Sequence, residues 1–436
     1  MELEKAGVPS VAVHTNVFAR LAQSTARAAG MPRARQAYVP QPVVDLSPEQ
    51  LRGYIVGIDP VSQRPFMQEI IEGLTRPLDE EDLKGLSFER TTPRLLAPDT
   101  EDSLQRLFID NNWTDFLPVI LPTEERVAAM LKGTSHPPGK VVAKLQPTSF
   151  REFWELTVEK VAVNAVMAGA KPEYLPVILA LAASGITARS SSTTSLAMIS
   201  VVNGPIRNEI GMSSSIGAMG PYNHANATIG RAYNLLSING QGGSVPEDTY
   251  MGTLGNWYNY SATFAEAEER SPWQPFHVQQ GWRPEESTVS IFFGARYTQS
   301  GYGPRETWKE KFIRCLTAGD PNMPPLIVMD PIVARLFVDL GFDTKEKLIE
   351  WCAENAQMPA REYWDDQWVQ TLTLPLAVSG VEPFATRLKA KPDEIIKIFQ
   401  PSDLHIVVTG GETQGAFKMI GGAYRAKATG SVDDWR

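Results

Sequence analysis

The sequence from residue 8 to residue 39, VPSVAVHTNVFARLAQSTARAAGMPRARQAYV, has the pattern of a strand, a helix and a second strand. The apolar run Val8–Val13 is typical of a buried strand, and Asn16 can cap a helix that continues to about Ala29. A second strand is predicted over Gln36–Val39. Because a strand–helix–strand unit needs neighbouring strands in a sheet, this stretch predicts an N-terminal α/β layer that is truncated.

The rest of the chain alternates between strand-like and helix-like segments. The predicted helices are Thr123–Lys132, Phe150–Met167, Glu173–Ala183, His224–Ile238, Arg305–Thr317, Ile332–Leu340 and Lys345–Asn355, and the predicted strands are Ser195–Val202, Thr288–Phe293, Leu326–Met329 and Leu404–Val408. This alternation predicts an α/β or α+β fold with a mixed sheet. We expect three parts: a partial α/β segment over residues 1–85, an irregular linker over 86–115, and a larger mixed α/β domain over 116–436 that holds the substrate pocket.

The composition limits the classes of function. The 436 residues include 41 basic and 50 acidic ones, and the net charge of −9 gives no general electrostatic reason to bind nucleic acid. A signal peptide and an apolar run of about 18 residues are both absent from the sequence, so we expect a cytoplasmic protein without a membrane contact. The two cysteines, Cys315 and Cys352, fall in predicted helices and are interpreted as buried residues. They allow neither a disulfide framework nor a Cys-x-x-Cys site.

Polar residues gather at the start of the helix predicted from His224. Tyr222, His224 and Asn226 lie at the helix entrance, and Arg231 lies further along. His224 is a candidate catalytic acid/base group because an imidazole titrates near neutral pH. Arg231 suits bidentate recognition of a carboxylate, with Tyr222 and Asn226 as further binding residues. The structural alternative is a capped helix with an ordinary surface histidine.

A second group lies in a loop rich in proline and aromatic residues. Glu266 and His277 form a candidate catalytic acid/base pair, in which Glu266 acts as an acid or as an orienting group. Glu268 and Trp273 are candidates for substrate binding, and Trp257 is expected to line the same pocket. The alternative interpretation is a packed loop that Trp273 anchors.

Two further places are candidates for binding polar groups. Asn164 interrupts an apolar helix and Glu173 begins the next one, so the break between these helices is a candidate substrate-binding site. Gly410 and Gly411 follow the last predicted strand in a turn whose N–H groups suit an anion, and a helix is expected after the turn. The alternatives are a helical hairpin with surface ion pairs and an ordinary strand–turn–helix.

Several stretches of the sequence resemble one known family. They are Met1–His14 with Phe18 and Gly30–Pro32, then Glu159–Tyr174, Asn226–Arg231 and Glu266–His277. The first, MELEKAGVPSVAVH, is similar to the segment that follows a selenocysteine or cysteine motif in the bacterial UGSC-type (seleno)protein family. It is more distantly similar to the selenoprotein subunits of glycine and proline reductases. The resemblance implies a thiol-reductase-like first segment and a Cys or Sec nucleophile placed just before Met1, which this sequence lacks.

These observations lead to one main hypothesis and two alternatives. We expect the large subunit of a hetero-oligomeric enzyme that acts on a small organic molecule, with the Cys or Sec nucleophile on a separate small subunit and acid/base groups on this chain. The first alternative is a cofactor-independent hydrolase, hydratase or lyase that uses Glu266 and His277 alone. The second is a non-catalytic scaffold subunit. No cofactor motif is evident, and a metal site stays open because His224, His277 and a carboxylate can converge.

Overall fold

Strands and helices alternate along most of the chain in the computed structural model. It describes residues 2–28, 31–43, 46–77, 79–83, 93–145, 154–189, 195–241, 245–246, 250–294, 296–301, 306–422 and 424–436. The strands are β1 (Ala12–Thr15), β2 (Gln36–Val39), β3 (Val141–Leu145), β4 (Trp154–Thr157), β5 (Ala197–Asn203), β6 (Thr263–Ala265), β7 (Thr288–Gly294), β8 (Arg296–Gly301), β9 (Pro325–Met329), β10 (Gln357–Pro359), β11 (Ile395–Lys397), β12 (His405–Val408), β13 (Ala416–Gly421) and β14 (Tyr424–Ser431). The helices are α1 (Glu2–Lys5), α2 (Ala19–Ala28), α3 (Pro48–Val56), α4 (Phe66–Thr75), α5 (Glu80–Leu83), α6 (Glu101–Asp110), α7 (Glu124–Met130), α8 (Val158–Ala168), α9 (Leu175–Ala183), α10 (Ile206–Glu209), α11 (His224–Gln241), α12 (Phe276–Gln279), α13 (Trp308–Thr317), α14 (Pro331–Asp339), α15 (Lys345–Asn355), α16 (Ala360–Asp365), α17 (Leu374–Val378) and α18 (Phe384–Leu388).

Two four-stranded sheets form the centre of the larger part. The first has the order β14-β7-β5-β6 and the second the order β12-β9-β13-β8. In the first sheet β5 and β6 are parallel and the other pairs are antiparallel. In the second sheet β12 and β9 are parallel and β13 runs against both of its neighbours. Both sheets are mixed, which confirms the predicted fold class.

The side chains of these strands divide the larger part into four layers. Successive residues of a strand face opposite sides, so neighbours in sequence join different cores. Val201 of β5 and Val328 of β9 pack between the two sheets. Val202 faces a core that includes α8, α9 and α11, and Ile327 faces a core that includes α13, α14 and α15. The order is therefore helices, sheet, sheet, helices, and each fully buried valine or isoleucine contributes about 1.5–3 kcal/mol.

The first segment, residues 2–83, is built around the parallel pair β1–β2. Ala37 and Val39 of β2 pack against Phe66 of α4, and the Gln36 amide donates to the Ala22 carbonyl of α2 (3.1 Å). β2 has the predicted bounds. β1 begins later than predicted, because the Val8 N–H closes the turn after α1 instead of entering a sheet.

The predicted start of one helix and the irregular structure predicted for the linker are both wrong in part. The helix predicted over Phe150–Met167 is preceded by strand β4, and it begins at Val158, where the Thr157 side chain accepts from the Lys160 N–H. The linker predicted over 86–115 contains helix α6, which Thr100 caps. Residues 84–92, with the predicted boundary between 85 and 86, lie outside the described residues. A threonine in an extended conformation caps the helix in both places, and Thr157 is also the last residue of β4.

His405, the first residue of β12, provides a test of burial between the sheets. Its ring lies edge-on to those of Phe276 (5.6 Å) and Phe292 (6.1 Å), and burial lowers the pKa of His405 to about 4. The folded state thus disfavours the charged imidazole, so stability is expected to decline as the pH falls from about 6.5, the ordinary histidine pKa, to about 4. An NMR titration of the histidine Cε1–H signals, assigned with His405→Gln, measures the pKa of His405 on which this expectation depends. A midpoint near 6.5 for His405 would contradict it.

Candidate functional site

The two sheets meet at the carboxyl ends of their parallel strands. Asn203 is the last residue of β5, Glu266 follows β6 directly, and Val408 is the last residue of β12. The Ala267 N–H donates to the Val408 carbonyl (2.7 Å) and so links the first sheet to the second. In α/β sheets ligands bind outside the carboxyl ends of the strands. This end of the molecule is therefore the candidate site.

Glu266 is a buried carboxylate that accepts hydrogen bonds from four donors. Its Oε1 accepts from Lys345 Nζ (2.9 Å) and the Val408 N–H (3.4 Å), and its Oε2 accepts from Asn203 Nδ2 (2.7 Å) and the Phe276 N–H (2.7 Å). The side chains of Glu266 and Lys345 are both 0% exposed. A carboxylate with both oxygens engaged in this way favours the orienting role over that of a proton donor.

Glu268 is connected to Glu266 through the same asparagine. Its Oε1 accepts from Asn203 Nδ2 (2.9 Å) and the Gly204 N–H (2.8 Å), and its Oε2 pairs with Arg207 Nη2 (3.0 Å). Arg207 is itself buried and donates to the Glu266 carbonyl (2.9 Å). We call this group of side chains the strand-end cluster. Its members are Asn203, Arg207, Glu266, Glu268, His277 and Lys345.

His277 brings an imidazole into the strand-end cluster. The ring is fully buried, and its Nδ1 lies 3.9 Å from Glu268 Oε1. Among the described residues neither ring nitrogen has a hydrogen-bond partner, and the same holds for Asn203 Oδ1 and Thr288 Oγ1. Thr288 lies directly opposite Asn203 in the register of β5 and β7. An imidazole beside a fixed carboxylate is a pairing that can transfer protons.

Arg207 also binds a carboxylate at the surface. Its Nη1 and Nη2 lie 3.2 Å and 2.7 Å from the two oxygens of Glu269. These hydrogen bonds lower the pKa of Glu269 to about 2. Arg207 is thus shared between Glu268 and Glu269, and its charge offsets part of the negative charge at this end of the sheets.

Gly204 forms the turn that offers its N–H to Glu268. Its φ is +84°, and a Cβ there would lie 2.2 Å from the Glu286 carbonyl oxygen. Gly211 also has a positive φ (+68°), but a Cβ there would meet nothing within 4 Å. We expect Gly211→Ala to cost about 1 kcal/mol of unfolding free energy, and Gly204→Ala about 2 kcal/mol more because backbone atoms must move. Urea unfolding measures both losses, and equal losses would contradict the steric argument.

The predicted anion-binding turn at Gly410 and Gly411 packs against the loop between α10 and α11. The Gly410 N–H donates to the Ser214 carbonyl (3.0 Å), and the Gly410 carbonyl accepts from Arg270 Nη1 (2.6 Å). A Cβ at Gly411 would lie 2.3 Å from Ile216 Cγ1. The glycines allow two loops to approach closely. The helix predicted after the turn is wrong, because the chain continues as β13 in the second sheet. Anion binding stays a prediction.

Arg231 is bound to a carboxylate of the chain itself. Its Nε and Nη2 lie 2.9 Å from the two oxygens of Asp115, whose side chain is 0% exposed. Burial alone would raise the pKa of Asp115, but the hydrogen bonds and charge of Arg231 outweigh it and hold that pKa below its ordinary value. A substrate carboxylate at Arg231 would have to compete with Asp115.

Two predicted binding amides form links inside the protein. Asn226 Nδ2 donates to the carbonyls of Ser213 (2.8 Å) and Ala218 (3.0 Å), and its Oδ1 accepts from the Ser213 N–H (3.1 Å). Asn164 Oδ1 accepts from Asn239 Nδ2 (2.8 Å), which joins α8 to α11. These polar atoms are used within the chain, so they hold loops and helices together.

Four other predicted residues lie at the surface. Tyr222 and Trp257 are exposed, and Glu173 is exposed in the turn before α9. His224 begins α11, and its ring lies 5.8 Å from that of Tyr174. The structure thus brings Glu266, Glu268 and His277 into one cluster and places these four elsewhere on the chain.

Trp273 lies in the loop between Glu266 and His277 and is buried. Its Nε1 donates to the Phe342 carbonyl (3.0 Å), and its ring belongs to the core around α14 and α15. Little of the Trp273 ring is therefore exposed for stacking on a substrate. This geometry favours the interpretation of Trp273 as the anchor of the loop.

Sequence reasoning missed Asn203, Arg207 and Lys345. Lys345 lies 79 residues from Glu266 in sequence, and Asn203 lies 63 residues from it. One signal was present: Lys345 occupies the first turn of a predicted helix, where the helix dipole disfavours a cation. A charge in an unfavourable local position indicates a partner distant in sequence.

The fold and the strand-end cluster define a mixed α/β protein with a buried charged centre. Residues 1–61 match the model of the UGSC family, which confirms the resemblance for that segment, and they make up 61 of the 436 residues. A comparison with curated proteins gave no match, and similarity to the glycine and proline reductase subunits stays a prediction. In the part of the chain described above, three or more His, Cys, Asp and Glu side chains nowhere gather to hold a metal ion. Nor does any helix within it have the length and apolar character to cross a membrane.

Proposed function

We propose that this chain is the large subunit of a heteromeric enzyme that acts on a small organic substrate. A separate small subunit supplies the Cys or Sec nucleophile, and this chain supplies acid/base groups. The observation that carries the proposal is the UGSC-like segment, residues 1–61, within a chain whose own thiols are unsuited to nucleophilic attack.

Both cysteines are poor nucleophiles. Cys352 of α15 is fully buried in the hydrophobic core, and burial raises its pKa far above the ordinary value. Burial also raises the pKa of Cys315. Because the thiolate is the nucleophilic form, neither of these two cysteines is suited to thiol chemistry, and the proposed nucleophile is the Cys or Sec of the small subunit. Both cysteines are free, as is usual in a reducing compartment, and the proposed location is the cytoplasm.

The strand-end cluster is the proposed source of acid/base chemistry. His277 transfers the proton, and Glu268, held by Asn203 and Arg207, lies 3.9 Å from its Nδ1 and orients the imidazole. Glu266 and Lys345 fix the loop that carries both groups. Covalent catalysis combines a nucleophile with an adjacent acid/base group, and in this proposal the two groups come from different subunits.

The first test uses the polypeptide encoded directly upstream of this chain. The two purified chains are mixed with a small-molecule extract, and intact-mass spectrometry follows a covalent adduct on the Cys or Sec of the small polypeptide. We expect the adduct and substrate consumption only when both polypeptides are present. A genome with no reading frame that encodes a Cys- or Sec-containing polypeptide at that position would contradict the proposal.

The alternatives make different predictions in the same assay. Substrate consumption by this chain alone would support a cofactor-independent hydrolase, hydratase or lyase. A complex whose turnover is unchanged by Glu268→Gln and by His277→Gln would support a scaffold. If the proposal holds, His277→Gln lowers turnover at least 100-fold and shifts its pH profile, while the complex still forms.

A further inference from the structure

The sheet of the first segment has two strands among the described residues. β1 and β2 pair in parallel, and within the described ranges neither pairs with a further strand. Parallel sheets occur almost only with both faces covered, and two strands alone are marginally stable. A further strand beside β1 would widen this sheet and pair its open edge.

The face toward α4 shows which edge is open. Val13 of β1 and Ala37 of β2 are register partners and face the same side. Ala37 is fully buried beside Phe66, whereas Val13 is 51% exposed. α4 thus covers β2 and leaves the edge at β1 uncovered.

The face toward α2 has a groove along the same strand. The groove encloses about 360 Å³, and its wall is mainly apolar. Ala12 and His14 of β1 form one side, and Leu21 and Ala22 of α2 form the other. An apolar side chain from a strand beside β1 would fill it, with a gain of about 25 cal/mol for each Å² buried.

Unpaired polar atoms at this edge indicate a peptide as the occupant. Glu4 lines the groove, and among the described residues its Oε1 lacks a donor. Thr15 Oγ1, at the carboxyl end of β1, is also buried without a partner there. A strand supplies N–H and C=O groups together with apolar side chains. The charge of Glu4 further favours an occupant that places a basic side chain or an N–H beside it.

We infer that β1 receives a parallel strand of the small subunit, which inserts an apolar side chain into the groove. Because functional loops follow the carboxyl ends of parallel strands, the loop with the Cys or Sec lies next to Thr15. This inference rests on the proposed function and adds to it the place and orientation of docking.

The first experiment compares two valine-to-lysine variants. Val13→Lys puts a charge on the edge of β1, and Val56→Lys puts the same charge on α3, at a site that is 81% exposed. Calorimetric titration with the upstream-encoded polypeptide is expected to show at least a tenfold weaker Kd for Val13→Lys and a change within twofold for Val56→Lys. Thermal unfolding of both variants confirms that they are folded.

The second experiment tests orientation and does not depend on Val13. Val8 and Val17 flank β1 at opposite ends and are 48% and 43% exposed. In oxidised glutathione, Val17→Cys is expected to form a disulfide with the Cys of the small subunit, or a selenenyl sulfide with its Sec, and Val8→Cys is not. A disulfide at Val8→Cys alone, or equal yields at both, would overturn the parallel arrangement.

The failures of the two proposals are distinguishable. If the wild-type chain does not bind the small polypeptide, the proposed function fails. If it binds and neither Val13→Lys nor the cysteine pair shows a difference, the docking site is wrong and the proposed function stands. If the chain alone forms a dimer that Val13→Lys dissociates, the occupant is a second copy and the inference is overturned.

Discussion

Lys345→Met is expected to lower the free energy of unfolding by about 3–5 kcal/mol, because it leaves the buried charge of Glu266 without its cation. Lys345 Nζ lies 2.9 Å from Glu266 Oε1, and both side chains are fully buried. The remaining donors to Glu266 are neutral N–H groups. The pair joins α15 to the end of β6, so its loss acts on the junction between the two sheets. Urea unfolding followed by circular dichroism measures the change.

Lys347→Met is the matched control for this variant. Lys347 lies in the same helix and pairs with Asp343 (2.7 Å), but its side chain is 55% exposed. Exposed ion pairs contribute little, so we expect a loss below about 1 kcal/mol. Similar losses for the two variants would show that the Lys345–Glu266 pair does not hold the site together.

Arg231→Gln is expected to cost about 3 kcal/mol of unfolding free energy, since it leaves the buried Asp115 without its cation. Arg231 binds both oxygens of Asp115 at 2.9 Å. Arg94→Gln is the control, because Arg94 binds Glu124 and Glu159 in exposed pairs, and its loss is expected to stay below about 1 kcal/mol.

The effect of Arg231→Gln depends on pH in a defined direction. Arg231 holds the pKa of Asp115 below its ordinary value, so the stability it contributes is present above pH about 4 and is lost as the pH falls through the lowered pKa. The stability difference between wild type and Arg231→Gln is therefore largest at pH 7 and narrows below pH 4. A difference that is small at pH 7 or grows in acid would contradict the role assigned to the pair.

Local sequence patterns predicted most of the fold. Lys345–Asn355 and Gln36–Val39 have the predicted bounds, because apolar spacing and a capping residue are local properties. β4 was missed although its partner β3 is close in sequence, and β13 was missed because it is stabilised by pairing with distant strands. β13 lies between β8 and β9. Such pairing has no signal within a window of ten residues.

The site was predicted only in its local part. Glu266, Glu268 and His277 lie within twelve residues of one another and form one cluster, as their shared loop indicated. The cations that neutralise the two glutamates come from other elements, and their positions depend on how the two sheets pack. Arg231 was predicted to bind a substrate carboxylate, but its carboxylate partner is Asp115 of the same chain, 116 residues away in sequence.

Native mass spectrometry of this chain with the upstream-encoded polypeptide tests the central claim most directly. We predict a complex in which the 48.1 kDa chain carries the small polypeptide, and an adduct mass on the small polypeptide when substrate is added. The chain alone would then remain free of any adduct. A chain that stays at 48.1 kDa in the mixture and consumes substrate by itself would contradict the account.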